Sequence, residues 1–149
     1  MGSLMLVPFL QLAPAQIVPA TPQVKADICD IAHNPAKFIG RHVVFHAEIL
    51  ADGMHGALLK DHEEKCFVNF ATPSKHQSAT EQEAGTALEK AIFQDHPGTG
   101  ADKRIEGDFG GILLMEVPSF GVSKKERPSL RLESVDNLKV TLALSPTPR

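Results

Sequence analysis

Between His42 and Leu50 the chain alternates strictly. Val43, Phe45, Ala47 and Ile49 fall on one side, and Val44, His46, Glu48 and Leu50 on the other. Side chains of an extended strand point to opposite faces with a period of two, so this stretch predicts a β-strand. Such a strand needs partners, and they follow at once. Asp52-Gly53 with Gly56 marks a turn, and Ala57 to Lys60 reads as a second short strand. Asp61-His62-Glu63-Glu64 reads as a polar hairpin loop before a third strand from Cys66 to Phe70. A three-stranded meander is expected.

The flanking segments carry a different period. Asp27 is a candidate N-cap for a short helix whose apolar positions are Ile28, Ile31 and Ala32, and Asn34-Pro35 ends it. Gly40 supplies the turn into the first strand. Beyond Pro73, residues Ala84, Leu88, Ala91 and Ile92 share one helical face, with Ser78 and Glu81 as a capping box and His96-Pro97-Gly98 as the stop. Ile105, Gly107, Phe109 and Gly111 then alternate with Arg104, Glu106, Asp108 and Gly110. That alternation slips at Gly110-Gly111 before Ile112 to Met115, which predicts a bulge or bend. Val117 to Pro128 reads as a loop. Leu130 and Leu132, then Leu138, Val140 and Leu142, complete the strands, with a bulge or turn at Asp136-Asn137. The expected core joins Val43, Phe45, Ile49, Val68, Phe109 and Leu132 to the helix face of Leu88 and Ile92.

With 149 residues, 42% of them apolar, the chain has the size and composition of one globular domain, expected over residues 24–144 with a tail at 145–149. Fifteen Lys+Arg against eighteen Asp+Glu give no positive field to gather a nucleic-acid backbone. Trp and Tyr are absent and Phe numbers eight, so base stacking is poorly served. Nucleic acid is therefore an improbable partner.

The order helix, three strands, helix, two strands resembles the OB-fold: mainly β with two helices, a small five-stranded barrel with a helix between its third and fourth strands. The run Asn34-Pro35, Phe38-Ile39-Gly40-Arg41-His42-Val43-Val44 and His46-Ala47-Glu48-Ile49 is similar to the opening of exported bacterial OB-like domains. Glu106-Gly107-Asp108-Phe109-Gly110-Gly111 and Leu132-Glu133-Ser134-Val135-Asp136-Asn137-Leu138 are similar to their closing strands. At Ala47 the chain departs from a glycine of that pattern by one methyl group. The resemblance carries no established activity and implies no cofactor. It does imply a ligand face on the second and third strands between two loops. Those loops are Ala51 to Gly56, with Met54 and His55, and Val117 to Pro128, with Phe120, Lys124, Lys125 and Arg127. An anionic ligand or an acidic protein segment is the partner expected there, at His55, Phe120, Lys124, Lys125 and Arg127.

No catalytic motif stands out, and the leading expectation is a non-enzymatic binding module. No G-x-S-x-G occurs, and Gly98-Thr99-Gly100 follows a helix rather than opening one. His42 and His46 share a strand face with Glu48, but four residues along a strand separate Cα atoms by roughly 13 Å, too far for one metal. They are expected as surface histidines. His62 with Cys66 and the acids Asp61, Glu63 and Glu64 is the alternative, a metal-assisted hydrolase; an oligonucleotide-binding domain is the other. No metal ligand is assigned.

Met1 to Ala20 is apolar and uncharged, broken by Pro8, Pro14 and Pro19. It is too interrupted to span a membrane. The run Leu4 to Leu12 with Ala13-Pro14-Ala15 matches an export signal without its positive n-region, and a Pro-rich tail is the other reading. An exported chain, periplasmic or secreted, is expected over a cytoplasmic one. Cys29 and Cys66 would then be free to form a disulfide, the rival being two buried thiols.

Overall fold

The computed structural model describes Gly2 and residues 22–51, 57–93, 103–118 and 124–142. In chain order these form β1 (Val24–Lys25), α1 (Ile28–His33), a 3-10 turn (Pro35–Lys37), β2 (His42–Ala51), β3 (Ala57–Lys60), β4 (Phe67–Phe70), α2 (Ala79–Phe93), β5 (Lys103–Glu116) and β6 (Arg127–Leu142). The caps are those the sequence specifies. Asp27 Oδ1 accepts from the Cys29 amide at 2.8 Å, and Ser78 and Glu81 accept from each other's backbone amides at 2.9 and 3.2 Å.

Strands β2, β3 and β4 form the antiparallel meander. β4 then runs parallel to β6 through Asn69↔Ser129 and Phe70↔Leu130, β6 pairs antiparallel with β5, and β5 returns to β2 from His42↔Ile112 to Ile49↔Ile105. The five strands close into a mixed OB-like barrel with α2 between its third and fourth strands. β1 is an extra strand, parallel to β2 through Val24↔Val43 and Lys25↔Val44. Two residues are too few to show a period, so sequence patterning missed it.

Closure requires β5 and β6 to bend. Their register shifts between Glu106 and Asp108 and again between Gly110 and Gly111, opposite Asn137 and Glu133. Asn137 adopts φ 53°, which fits the bulge expected at Asp136-Asn137. At Gly111 a Cβ would lie 2.9 Å from the Arg131 carbonyl carbon, so only glycine lets the two backbones approach this closely.

Phe45, Phe109, Leu59, Leu113, Leu130, Val43 and Val68 fill the barrel, joined by Ile28 and Ile31 of α1 and Ala91 and Ile92 of α2. The Phe70 and Phe109 rings meet edge to face at 6.4 Å. Leu88 and Leu132, expected in the core, are half-buried against it, and Leu130 holds the central place on β6. Leu132 pairs with Gly111 at the register shift, where the alternation of β6 is broken.

Cys29 of α1 is disulfide-bonded to Cys66, with Cα atoms 5.1 Å apart. Cys66 ends the turn ahead of β4 rather than lying on the strand. Cross-linking residues separated by 37 positions stabilises the fold by about 4 kcal/mol in the chain-entropy account. Among the described residues no helix is long and apolar enough to cross a membrane.

Candidate functional site

The expected binding face can be followed strand by strand. Leu58, near the start of β3, pairs with Asn69, and Asn69 pairs with Ser129. Just past β4, the Thr72 amide donates to Glu116 at 3.1 Å. Glu116 precedes the second loop and pairs with Arg127 beyond it. The described segments on either side of residues 52–56 and 119–123 are thus linked across β4. Lys124, Lys125 and Arg127 are exposed; Arg127 and Pro128 belong to β6 rather than to the loop. His55 and Phe120 lie outside the described residues.

The outer surface of β2, β3 and β4 carries two rows of side chains. One runs Leu50, Leu58, Asn69, and the other Glu48, Lys60, Phe67. Leu50 is 45% exposed and Phe67 42%, with Leu58 half-buried between them. An apolar cluster on the solvent side of a barrel is informative in a way that one scattered leucine is not. Leu50 already stood on the polar side of its strand's alternation, so its exposure was legible. Phe67 becomes an outward residue only once the β3–β4 register is known.

The same outer surface holds a second feature. Glu48 lies on the solvent side of β2 yet is only 5% exposed, because charged side chains cover it. Its Oε2 accepts from Lys60 Nζ at 3.1 Å; its Oε1 lies 2.8 Å from His62 Nδ1 and accepts from the Arg104 guanidinium. Lys60 also donates to Glu64 Oε1 at 2.9 Å. Burial disfavours the charge on Glu48, but the bonds from His62, Lys60 and Arg104 outweigh it and hold the carboxyl below its usual range. For Lys60, burial likewise opposes the charge and the bonds it donates to Glu64 and Glu48 prevail, raising its pKa. An ionised carboxylate that accepts from Lys60 and Arg104 is satisfied, and it has little basicity left for proton transfer.

His46, Glu48, Asp61, His62, Arg104 and Glu106 line a cleft of about 220 Å³ beside this network. That is below the roughly 300–1,000 Å³ of ordinary small-molecule sites and matches a single side chain. His46 and His42 each face a separate carboxylate, Asp108 and Glu133, both at 3.0 Å. Asp108 is held below its usual range by the Asn137 amide at 2.8 Å and by His46.

His62 and Cys66 are not brought together as a ligand pair. His62 turns to Glu48 and Arg104, while Cys66 Sγ is bonded to Cys29. Asp61 lies beside the disulfide instead. Its Oδ1 accepts from the Lys65 and Cys66 amides at 2.7 and 2.8 Å, and these bonds, led by that from Cys66, keep it below the usual aspartate range. Ligand atoms of Cys29, Asp61 and Cys66 all lie within 4.8 Å of one another. No spacing in the sequence signals this grouping, since Cys29 arrives from a separate element. Compared with protein families, with curated proteins and with solved structures, the chain matches none.

Proposed function

We propose that the chain is a non-catalytic binding module of an oxidising compartment, and that it holds an extended acidic protein segment against the outer face of β3 and β4. The observation that carries this reading is the set of apolar side chains Leu50, Leu58 and Phe67 left on that face, next to the start of β6, where Arg127 lies two residues before the Ser129 that pairs with Asn69 and follows Lys124 and Lys125 in the chain. Apolar contact supplies affinity, while the cations select an acidic partner and speed its arrival. Oligonucleotides fit less well: Phe67 is the only aromatic on the outer face of β3 and β4, where a strand of bases needs several to stack on. The disulfide and the signal-like run Leu4 to Leu12 support an exported location.

Fluorescence anisotropy with three probes tests the reading: a Glu-rich peptide containing one Leu, its Lys-rich counterpart, and a single-stranded oligonucleotide. The acidic peptide should bind best and weaken as salt is raised. Replacing Lys124, Lys125 and Arg127 with Ala should weaken it roughly tenfold, about 1.4 kcal/mol. Equal binding of the two peptides, or an unchanged affinity in the triple variant, would refute it.

A further inference from the structure

The disulfide closes the contact between α1 and the turn before β4, and a carboxylate stands within reach of both sulfurs. Asp61, Cys29 and Cys66 come from two separate elements, yet their ligand atoms lie within 4.8 Å of one another. We propose that reduction converts this staple into a divalent-metal site of two thiolates and one carboxylate, selective for zinc. The inference is independent of the peptide-binding reading and concerns the chain where it meets a dithiol reductant, outside the oxidising compartment proposed above.

The geometry asks for little movement. With zinc bonds of about 2.3 Å to sulfur and 2.0–2.2 Å to oxygen, tetrahedral neighbours stand about 3.6–3.8 Å apart, which side-chain rotation supplies from the present positions. Asp61 is already oriented, because the Lys65 and Cys66 amides hold its Oδ1. These amides act as the outer partners that fix a metal-binding carboxylate. Two thiolates and a carboxylate form a borderline-soft set suited to zinc, with the fourth position open to water. Asp61 and Cys29 are half-buried rather than sealed, so a reductant and an ion have a path.

The chemistry balances with a dithiol as reductant. It attacks one sulfur of the Cys29–Cys66 bond, transfers two electrons and two protons, and leaves as its own cyclic disulfide. The ion then replaces both thiol protons, which pass to solvent. Either closure joins α1 to the β3–β4 turn, so the barrel keeps this tie in both states.

The test uses the full chain, reduced with a dithiol, freed of it under nitrogen and titrated with Co²⁺, whose thiolate and tetrahedral absorption bands report the ligands. The expected result is one Co²⁺ per folded chain, displaced by one Zn²⁺, with no binding to the oxidised chain. Asp61→Asn keeps a carbonyl oxygen for the two amides and should weaken the metal roughly tenfold or more. Its oxidised form should melt like the parent, showing that the turn persists. Cys29→Ser should abolish the thiolate band. Undiminished affinity in Asp61→Asn, a lasting band in Cys29→Ser, or loss of the folded circular-dichroism spectrum on reduction that zinc does not restore would overturn the proposal.

Discussion

Glu48 and Ile49 are neighbours on β2 and equally hidden, 5% and 6% exposed, but opposite environments hide them. Ile49 points into the barrel and is covered by carbon. Glu48 points outward and is covered by Lys60, His62 and Arg104, each of which also meets one of its oxygens. The inner face is held by apolar burial, which is non-directional and tolerates exchange of similar volumes. The outer face depends on every partner being present, because a buried charge without its counterion is costly. Burial alone therefore does not distinguish core from surface chemistry in this molecule.

The largest effect should come from the inner face. Phe45→Ala removes a ring that is 2% exposed at the barrel centre and should cost about 3–5 kcal/mol in denaturant unfolding. A loss below about 1 kcal/mol would mean that the barrel is not closed around this ring.

On the outer face, Glu48→Gln should cost about 1–3 kcal/mol, because Lys60 loses its buried partner and retains only Glu64. Replacing both groups, as Glu48→Gln with Lys60→Met, should cost less than the sum of the single changes by about 1 kcal/mol. Strict additivity would show that the pair does not act as a unit.

The smallest effect is in pH. Glu48 and Asp108 both have folded-state pKa values below their ordinary ones, so their contribution is complete at neutral pH and is lost as acid carries each through its lowered value. Below about pH 5 the parent should lose stability more steeply than Glu48→Gln, and the two curves should converge. Parallel curves would remove Glu48 from the acid response.

These contrasts explain what was legible. The five barrel strands, both capped helices, the Gly110-Gly111 bend and the apolar core follow from period and turn chemistry, which are local; β1 is too short to show a period. Glu48 as a buried anion was not legible, because its cover comes from Lys60, His62 and Arg104, which only the strand pairing and the 61–66 turn assemble. Likewise, the Asp61 grouping depends on α1 meeting a distant turn. His55 and Phe120 lie outside the described residues, so the face proposed for binding rests on Leu50, Leu58, Phe67 and the three cations.

The most direct measurement is a titration of the ¹⁵N-labelled chain with the Glu-rich peptide, followed by amide chemical shifts. Saturable changes centred on Leu50, Leu58, Phe67, Asn69, Lys124, Lys125 and Arg127, abolished by high salt, are the expected result. Changes confined to the cleft around Glu48 and Arg104, or no saturable change at all, would contradict it.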